Sequence, residues 1–401
     1  YTNVSPPVAP ENQDEFRFFA EQDVPLELEE GDILMELYEI RNMIGRGGMG
    51  VVFRVFHREW GVDLAMKCPK PIGRASSRWA ELFERECETW IGLAPHPNAV
   101  QCYYFQRLGG LPRVFIEYVD GTDLEYCIAG KSLYQGEPKD VRARSFDISI
   151  QFAYGLHHAH VEGVVHQDVK PSNALVDQNW NVKITDFGLA KLWAEDVPKP
   201  ASSKAPWKPM RVGGTRAYAS PEHRSNTNVD ARSDVWCWGV SILEMFAGEG
   251  FWRQGILAAQ ALEQICQKGA RYPFIPALPD PFAALLRRCF QAEPSDRPQS
   301  MLAIAEELES IFESAVGEPY TKPSPTSVQM SSEILNNRAV SLRELGRVQE
   351  AEQIWRRIVE SDPGQAESFC NLNLHLWRTG AISELEVVRQ LQRKQWKDGS
   401  E

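Results

Sequence analysis

Apolar residues recur at two different spacings along this chain, and the places where the spacing changes divide it into parts. From residue 36, "LYEIRNMIG", "VVFRVFHRE" and "VDLAMKC" are rich in Val, Ile, Phe and Tyr and punctuated by glycines, which predicts strands. A helical period follows in "RWAELFERECETWIGL", where Trp79, Leu82, Phe83, Cys87, Trp90 and Ile91 lie three and four apart. Strand signals return in "AVQCYYFQRL" and "LPRVFIEYV", over 99–119. Beyond 138 the period is helical again, with Ile148, Phe152, Leu156 and Ala159 on one face. Two short strands, "NALVD" and "NVKITD", lead to a loop carrying Pro198, Pro200, Pro206 and Pro209, and several helices are expected between there and 315. The pattern predicts an α+β chain: a small strand-rich lobe with one helix, then a larger helix-rich lobe.

The two ends have other textures. Residues 1–32 carry nine Asp/Glu against the single Arg17, so 1–35 is expected to be an acidic, solvated N-terminal extension, with a docking arm as the sharper alternative. The domain is placed at 36–315. "GEPYTKPSPTSVQMSS" reads as a linker, placed at 316–331. After it, Gly346 and Gly380 stand 34 residues apart; at the same offset Leu335 aligns with Phe369 and Leu342 with Leu376. Ala351, Trp355 and Pro363 fill small, aromatic and helix-ending slots, whereas Leu385 and Arg389 fill the matching slots less well. The segment 332–399 resembles two tetratricopeptide (TPR) repeats, the second degraded, and a plain helical hairpin packed on the main domain is the alternative. Such repeats present grooves, so the resemblance implies a peptide or helical partner at this TPR-like tail.

Composition narrows the function classes. With 401 residues, 43% hydrophobic and 24% charged, the chain suits an ordinary globular protein. A net charge of −12 argues against a general nucleic-acid binder, because no basic excess is present to displace counterions. No run approaches the length of a membrane span, so none is expected, and a cytoplasmic setting is assumed. The chain opens on Tyr1 rather than Met and is read as an excerpt. Its eight cysteines form no CxxC pairs, which points to small buried residues of a reducing compartment.

Three glycines, Gly45, Gly47 and Gly50, interrupt the first two strands. A Rossmann fingerprint would have them open a helix, but strand-like sequence follows; a Walker loop would need Gly-Lys-Ser/Thr, and Val51 stands there. A strand turn with no ligand and a bare-backbone cover over a polyphosphate both fit. Downstream come Lys67 on the next strand, Glu86 in the following helix, Asp168, Lys170 and Asn173 in "VVHQDVKPSNALV", and Asp186 in "ITDFGLA". Singly, these are ordinary surface charges or turn formers.

As an ordered set over about 38–313 they resemble a eukaryotic-type (bacterial Hanks-type) serine/threonine protein kinase. The resemblance implies a two-lobed protein kinase fold, with an antiparallel β-sheet N-lobe and a helical C-lobe, followed by the all-α TPR-like tail. It implies ATP and Mg²⁺ as cofactors and protein substrates bearing Ser/Thr. Lys67, oriented by Glu86, would hold the α- and β-phosphates, and Asn173 and Asp186 would bind the metal. Asp168 would orient the substrate hydroxyl, and Lys170 would neutralise charge on the transferring group. Ile44 and the three glycines would cover the nucleotide; Val52 and Ala65 would lie above the base and Leu175 below. Ile116 would guard the inner pocket, and the backbones of Glu117 and Val119 would meet the base.

Farther on, "GGTRAYASPE" resembles the end of an activation segment, with Ser220 where alanine is more usual. Glu222 would pair with Arg297 in "PSDRP", and Asp234 would satisfy backbone donors of the catalytic loop or complement its own helix N-terminus. Lys170 and Thr215 favour serine/threonine over tyrosine. The stretch 191–216, six Lys/Arg against two acids, is either a solvated loop or a preference for acidic substrates. The glycine loop resembles that of bacterial kinases of this type, which by analogy suggests a bacterial origin. The alternatives are a pseudokinase scaffold that binds nucleotide and partners, and a small-molecule phosphotransferase.

One position departs from the family. Gln167 stands where an arginine usually precedes the catalytic aspartate, and glutamine makes no charge-assisted bond to a phosphorylated activation segment. Ser202 and Ser203 remain candidate modification sites. Phosphatase treatment is therefore expected to leave the phosphorylation rate within about tenfold of the untreated protein, since a modification without its cationic partner gains little; a larger loss would refute that reading.

Overall fold

The strand-period run forms one seven-stranded sheet, and the sheet begins earlier in the chain than the sequence pattern indicates. In the computed structural model the described residues are 18–25, 27–46, 50–69, 83–84, 87–187, 213–225, 229–326 and 330–394. Two compact units contain them: Tyr1–Glu81 with Tyr104–Tyr118, and Leu82–Tyr103 with Val119–Glu401.

In the first unit the strands are β1 (Phe18–Phe19), β2 (Ile33–Leu34), β3 (Tyr38–Arg46), β4 (Gly50–His57), β5 (Val62–Pro69), β6 (Cys102–Leu108) and β7 (Leu111–Glu117). Their order is β1-β2-β3-β4-β5-β7-β6. The pairs from β2 to β7 are antiparallel, whereas β1 lies parallel to β2. Gly109 and Gly110, at φ 59° and 73°, join β6 to β7 with the left-handed backbone that a tight hairpin requires.

The expectation of a solvated extension is corrected where the chain packs, at Val24 and 32–34, while residues such as Glu21, Glu27 and Glu29 are exposed as expected. Ile33 and Leu34 are buried in the sheet, and Val24 is buried as well. The Gly109 N–H donates to Glu21 O at 2.8 Å, and a Cβ on Gly109 would come within 2.2 Å of Val24 O. Arg113 on β7, itself buried, donates through Nη2 to Pro25 O and through Nη1 to Cys68 Sγ. The acidic composition hid this strap because few of its residues do the packing. Its carboxylates flank short apolar insertions rather than alternate with them.

The second unit is built on two helices. In Pro138–Val161, Ile148, Phe152, Leu156 and Ala159 are buried, as the period predicts, and Phe146 is buried as well. Ala231–Ala247 is buried almost throughout, matching its run of apolar residues. A three-stranded sheet comprises β8 (Gly121–Asp123), β9 (Ala174–Asp177) and β10 (Val182–Ile184). The helix expected before it is present at residues 83–84 and 87–92. The activation-segment stretch 191–212, with Ser202 and Ser203, lies outside the described residues.

The stretch expected as a linker joins two helices and also has side-chain partners along its way. After the helix Met301–Val316, the chain runs along Pro138–Val161 instead of standing free. Tyr320 Oη donates to Asp147 Oδ1 at 2.9 Å and Lys322 Nζ to Asp147 Oδ2 at 2.8 Å. Tyr154 Oη donates to Ser324 Oγ at 3.0 Å, and Arg142 Nη1 donates to Ala315 O at 3.0 Å.

Four helices follow: Ser332–Glu344, Val348–Ser361, Ala366–Arg378 and Glu384–Arg393. Gly346 and Gly380, at φ 81° and 74°, each end the first helix of a pair, which is why they recur. Ala339, Leu342, Ala351, Trp355, Ile358 and Leu372 form a core of their own. Trp355 is wholly buried and donates to Asn336 Oδ1 at 3.0 Å. The final helix buries only Val387, while Leu385 is exposed, in keeping with the weaker second half of the repeat pattern.

Glycines in the first hairpin differ in what they permit. A Cβ on Gly50 would lie 2.0 Å from the Cys68 carbonyl oxygen, whereas one on Gly45 would make an ordinary 3.6 Å contact with Val52. Gly50→Ala is thus expected to lower stability by about 1–3 kcal/mol and Gly45→Ala by much less. Thermal or urea unfolding of the two variants checks the difference.

Candidate active site

In the first unit, strand register alone assembles the candidate nucleotide-binding residues. Gly45 on β3 pairs with Val52 on β4, Val52 with Lys67 on β5, and Lys67 with Val114 on β7. Directly paired residues of neighbouring strands point to the same face. Arg54, Ala65 and Ile116 form the next row on that face, because they stand two positions along their strands. The structure therefore brings Gly45, Val52, Ala65, Lys67 and Ile116 together on one surface. Lys67, Ala65 and Ile116 are buried, while Ile44 is exposed and lies unpaired at the register shift between Met43 and Gly45. Gly50 opens β4 opposite Pro69, and its missing Cβ has a strictly structural cause in the Cys68 carbonyl. Glu117 ends β7 opposite Leu64. Gly47 and Glu86 lie outside the described residues.

Sequence reasoning missed Arg54. Its guanidinium lies over the Tyr118 ring at 4.5 Å and donates to Asp63 Oδ2 at 2.5 Å, beside the expected base-contacting segment. The signal available was weak: a single basic residue in a strand of valines and phenylalanines.

In the second unit, the loop 166–173 is held by an acid beneath it. Asp234, fully buried near the start of Ala231–Ala247, accepts the His166 N–H at 2.8 Å, the Gln167 N–H at 2.9 Å and His160 Nε2 at 2.8 Å. Burial alone would push its carboxyl up; these donors, His160 foremost, outweigh that and hold it below the usual range. The expectation that Asp234 satisfies backbone donors of the loop is met. Gln167 takes φ 64° and Asp186 φ 63°, left-handed backbone that non-glycine residues adopt at a cost.

Within the loop, Asp168 is buried and receives Lys170 Nζ on Oδ2 at 2.6 Å. Asn173 Nδ2 donates to Asp168 O at 2.8 Å and to Oδ2 at 3.2 Å, leaving Oδ1 as the amide's acceptor. His166 Nε2 donates to Thr185 O at 2.9 Å while Nδ1 accepts the Asp168 N–H, which fixes one neutral tautomer. Phe187, wholly buried, packs against His166 at 5.1 Å and Trp90 at 6.2 Å between ring centroids, and so fastens the residue that follows Asp186. Leu175 follows on β9, paired with Asp123 and Lys183; Val119 is half-buried at the start of this unit.

The third group is an ion pair. Arg297 meets Glu222 through Nη1 at 2.6 Å and Nη2 at 2.9 Å, and donates as well to the carbonyls of Gln291, Arg232 and Ala292. All five guanidinium N–H groups are thus used. Ser233 Oγ adds a bond to Glu222 at 2.6 Å, and Ser220, wholly buried, bonds His223. Thr215 lies in the helix Gly213–Tyr218, with its side chain outside the described residues.

A family model described as "Protein kinase domain" matches residues 38–309. A probable serine/threonine-protein kinase of Clostridium acetobutylicum is 28% identical over 307 residues, which cover 75% of this chain and 44% of that protein. Serine/threonine-protein kinase pkn3 of Myxococcus xanthus is 30% identical over 290 residues, covering 70% of this chain and 51% of that protein. The chain spans about half the length of these two relatives. Among solved structures, the kinase domain of Mycobacterium tuberculosis PknI is 22% identical, covers 68% of this chain and 95% of that one, and gives a TM-score of 0.48.

The Glu222–Arg297 pair makes an acid-stability prediction. Burial raises the Glu222 carboxyl, but the bonds from Arg297 and Ser233 prevail and hold it at about 2, below its ordinary 4.5. A depressed folded value means the stabilisation is complete above pH 4.5 and fades as pH falls toward 2. Unfolding midpoints measured from pH 6 to about pH 2.5 should therefore drop less steeply in Glu222→Gln than in the wild type. At neutral pH the same variant is expected to lose roughly 3–5 kcal/mol, because it leaves the guanidinium buried without its counter-charge.

Proposed function

The chain belongs to the protein kinase family, and from that membership we propose that it transfers the γ-phosphate of ATP to serine or threonine hydroxyls of protein substrates. The observation that carries the reading is the cluster of Asp168, Lys170 and Asn173, drawn together within 2.6–3.2 Å on a loop held from below by Asp234. In this reading Asp168 accepts the hydrogen bond of the substrate hydroxyl and aims it at phosphorus. Lys170, already beside that carboxylate, supplies positive charge where the transferring group gathers negative charge.

The residues present suit a nucleotide with its metal. The row Gly45–Val52–Lys67–Val114 offers one cation amid small and apolar neighbours, which fits phosphates at one end and a flat base toward Ala65 and Ile116. Lys67 would hold the α- and β-phosphates with Glu86 as its partner; Glu117 and Val119 would meet the base through their backbones, and Leu175 would close its other face. Asn173 Oδ1 and the Asp186 carboxylate are oxygen donors, the type Mg²⁺ accepts. Bound there, the ion would screen the phosphate charge. The tail, whose first three helices share a core, is proposed to be TPR-like and to receive a peptide or helical partner.

Radiolabelled ATP with a generic protein substrate tests the proposal. Asp168→Ala is expected to slow transfer by about 10²–10⁴-fold with little change in thermal stability, and Lys67→Met to act similarly. Nucleotide binding without transfer by the wild type would point to a scaffold, and label confined to small metabolites would point to a small-molecule phosphotransferase.

A further inference from the structure

From residue 315 onward the chain stays fastened to the larger unit. Arg142, Asp147 and Tyr154 of Pro138–Val161 hold Ala315, Tyr320, Lys322 and Ser324 in turn. The tail that follows makes a contact with a different element. Arg347, at the head of Val348–Ser361, is oriented by two bonds to Glu350, from Nε at 2.7 Å and from Nη2 at 2.6 Å. Its remaining nitrogen, Nη1, lies 3.8 Å from Glu88 Oε2 on the helical residues 87–92.

That helix is gripped on its other side. Residues two apart on a helix point in nearly opposite directions, and burial follows suit: Glu88 is half-buried while Trp90 is 2% exposed. The Trp90 ring packs on Phe187, and its Nε1 donates to Val100 O at 3.0 Å. Phe187 immediately follows Asp186. A continuous set of contacts thus runs from Arg347 through Glu88, the helix, Trp90 and Phe187 to the backbone of Asp186, all within one compact unit.

We propose that the helical tail is a control element of the active site: through Arg347 and Glu88 it sets the position of the helical residues 87–92, and through Trp90 and Phe187 that of Asp186. A partner that engages the tail and moves the start of Val348–Ser361 would then change the rate of transfer. This rests on the kinase reading for its effect on rate, but the mechanical link can be read without catalysis.

The test is a charge-reversal cycle in the full chain, comprising Arg347→Glu, Glu88→Arg and the double variant. Two readouts apply: amide hydrogen exchange of the 87–92 backbone, and kcat for a generic protein substrate at saturating ATP. Each single reversal is expected to raise exchange over 87–92 by about two- to fivefold, the scale of a partly exposed ion pair, and to change kcat. The double variant is expected to restore both, which a merely destabilising substitution would not do. Unchanged exchange in the single variants overturns the inference, as does a failure of the double to recover or an altered exchange with unaltered kcat. If the wild type itself transfers no phosphate, the kinase reading fails, and the exchange cycle still decides the mechanical link.

Discussion

A single buried carboxylate determines the form of the larger unit's chemistry. Asp234 has no exposure to water, so its charge is tolerable only if donors surround it, and the donors at hand are two consecutive backbone N–H groups of the loop 166–167 together with His160. Accepting both N–H groups forces them to point the same way. That is how Gln167 comes to hold a left-handed backbone that a glutamine would otherwise avoid. The bend it produces lets Asp168, Lys170 and Asn173 converge within a few residues of chain. Local strain and buried charge are each unfavourable alone; here one supports the other, because relaxing the loop would leave Asp234 without its partners.

The smaller unit reaches its arrangement by a different route. Its row from Gly45 to Val114 follows from sheet register across four strands. A register slip of one residue would turn that whole row to the opposite face, so the same hydrogen bonds that build the sheet also specify where Lys67 points. The strap of residues 21–25 closes on the β6–β7 hairpin at Gly109 and Arg113, and thereby restrains the strands on which that register depends.

These contrasts explain what the sequence disclosed. Strands, the long helices, the lobe order and the ordered motifs were legible because periodicity and spacing are local properties, and Glu222–Arg297 and Asp234 could be anticipated from the resemblance. Three features were not legible. The strap at 18–34 was concealed by acidic neighbours, since burial of Ile33 and Leu34 depends on strands far along the chain. The docked segment 317–326 was concealed because proline-rich sequence looks the same whether solvated or laid on a helix. Gly50 was legible as a glycine but not for its reason: the carbonyl of Cys68 on the neighbouring strand leaves no room for a Cβ. In each case the deciding contact is made with a residue distant in sequence.

The ion pairs of the larger unit divide by what they can do. Arg297 has every N–H engaged and is almost wholly buried with Glu222, so breaking the pair would leave two desolvated charges; it is suited to fixing a geometry permanently. The contact of Arg347 with Glu88 is the opposite kind, half-exposed and at 3.8 Å. It contributes little to global stability, is screened by salt, and can be made or lost at small cost in free energy. Elements that adjust a site are drawn from weakly held contacts, because a device that never opens cannot report a change. The tail thus meets the catalytic framework at a contact where a small free energy is enough to matter, while the pairs that must not move are buried elsewhere.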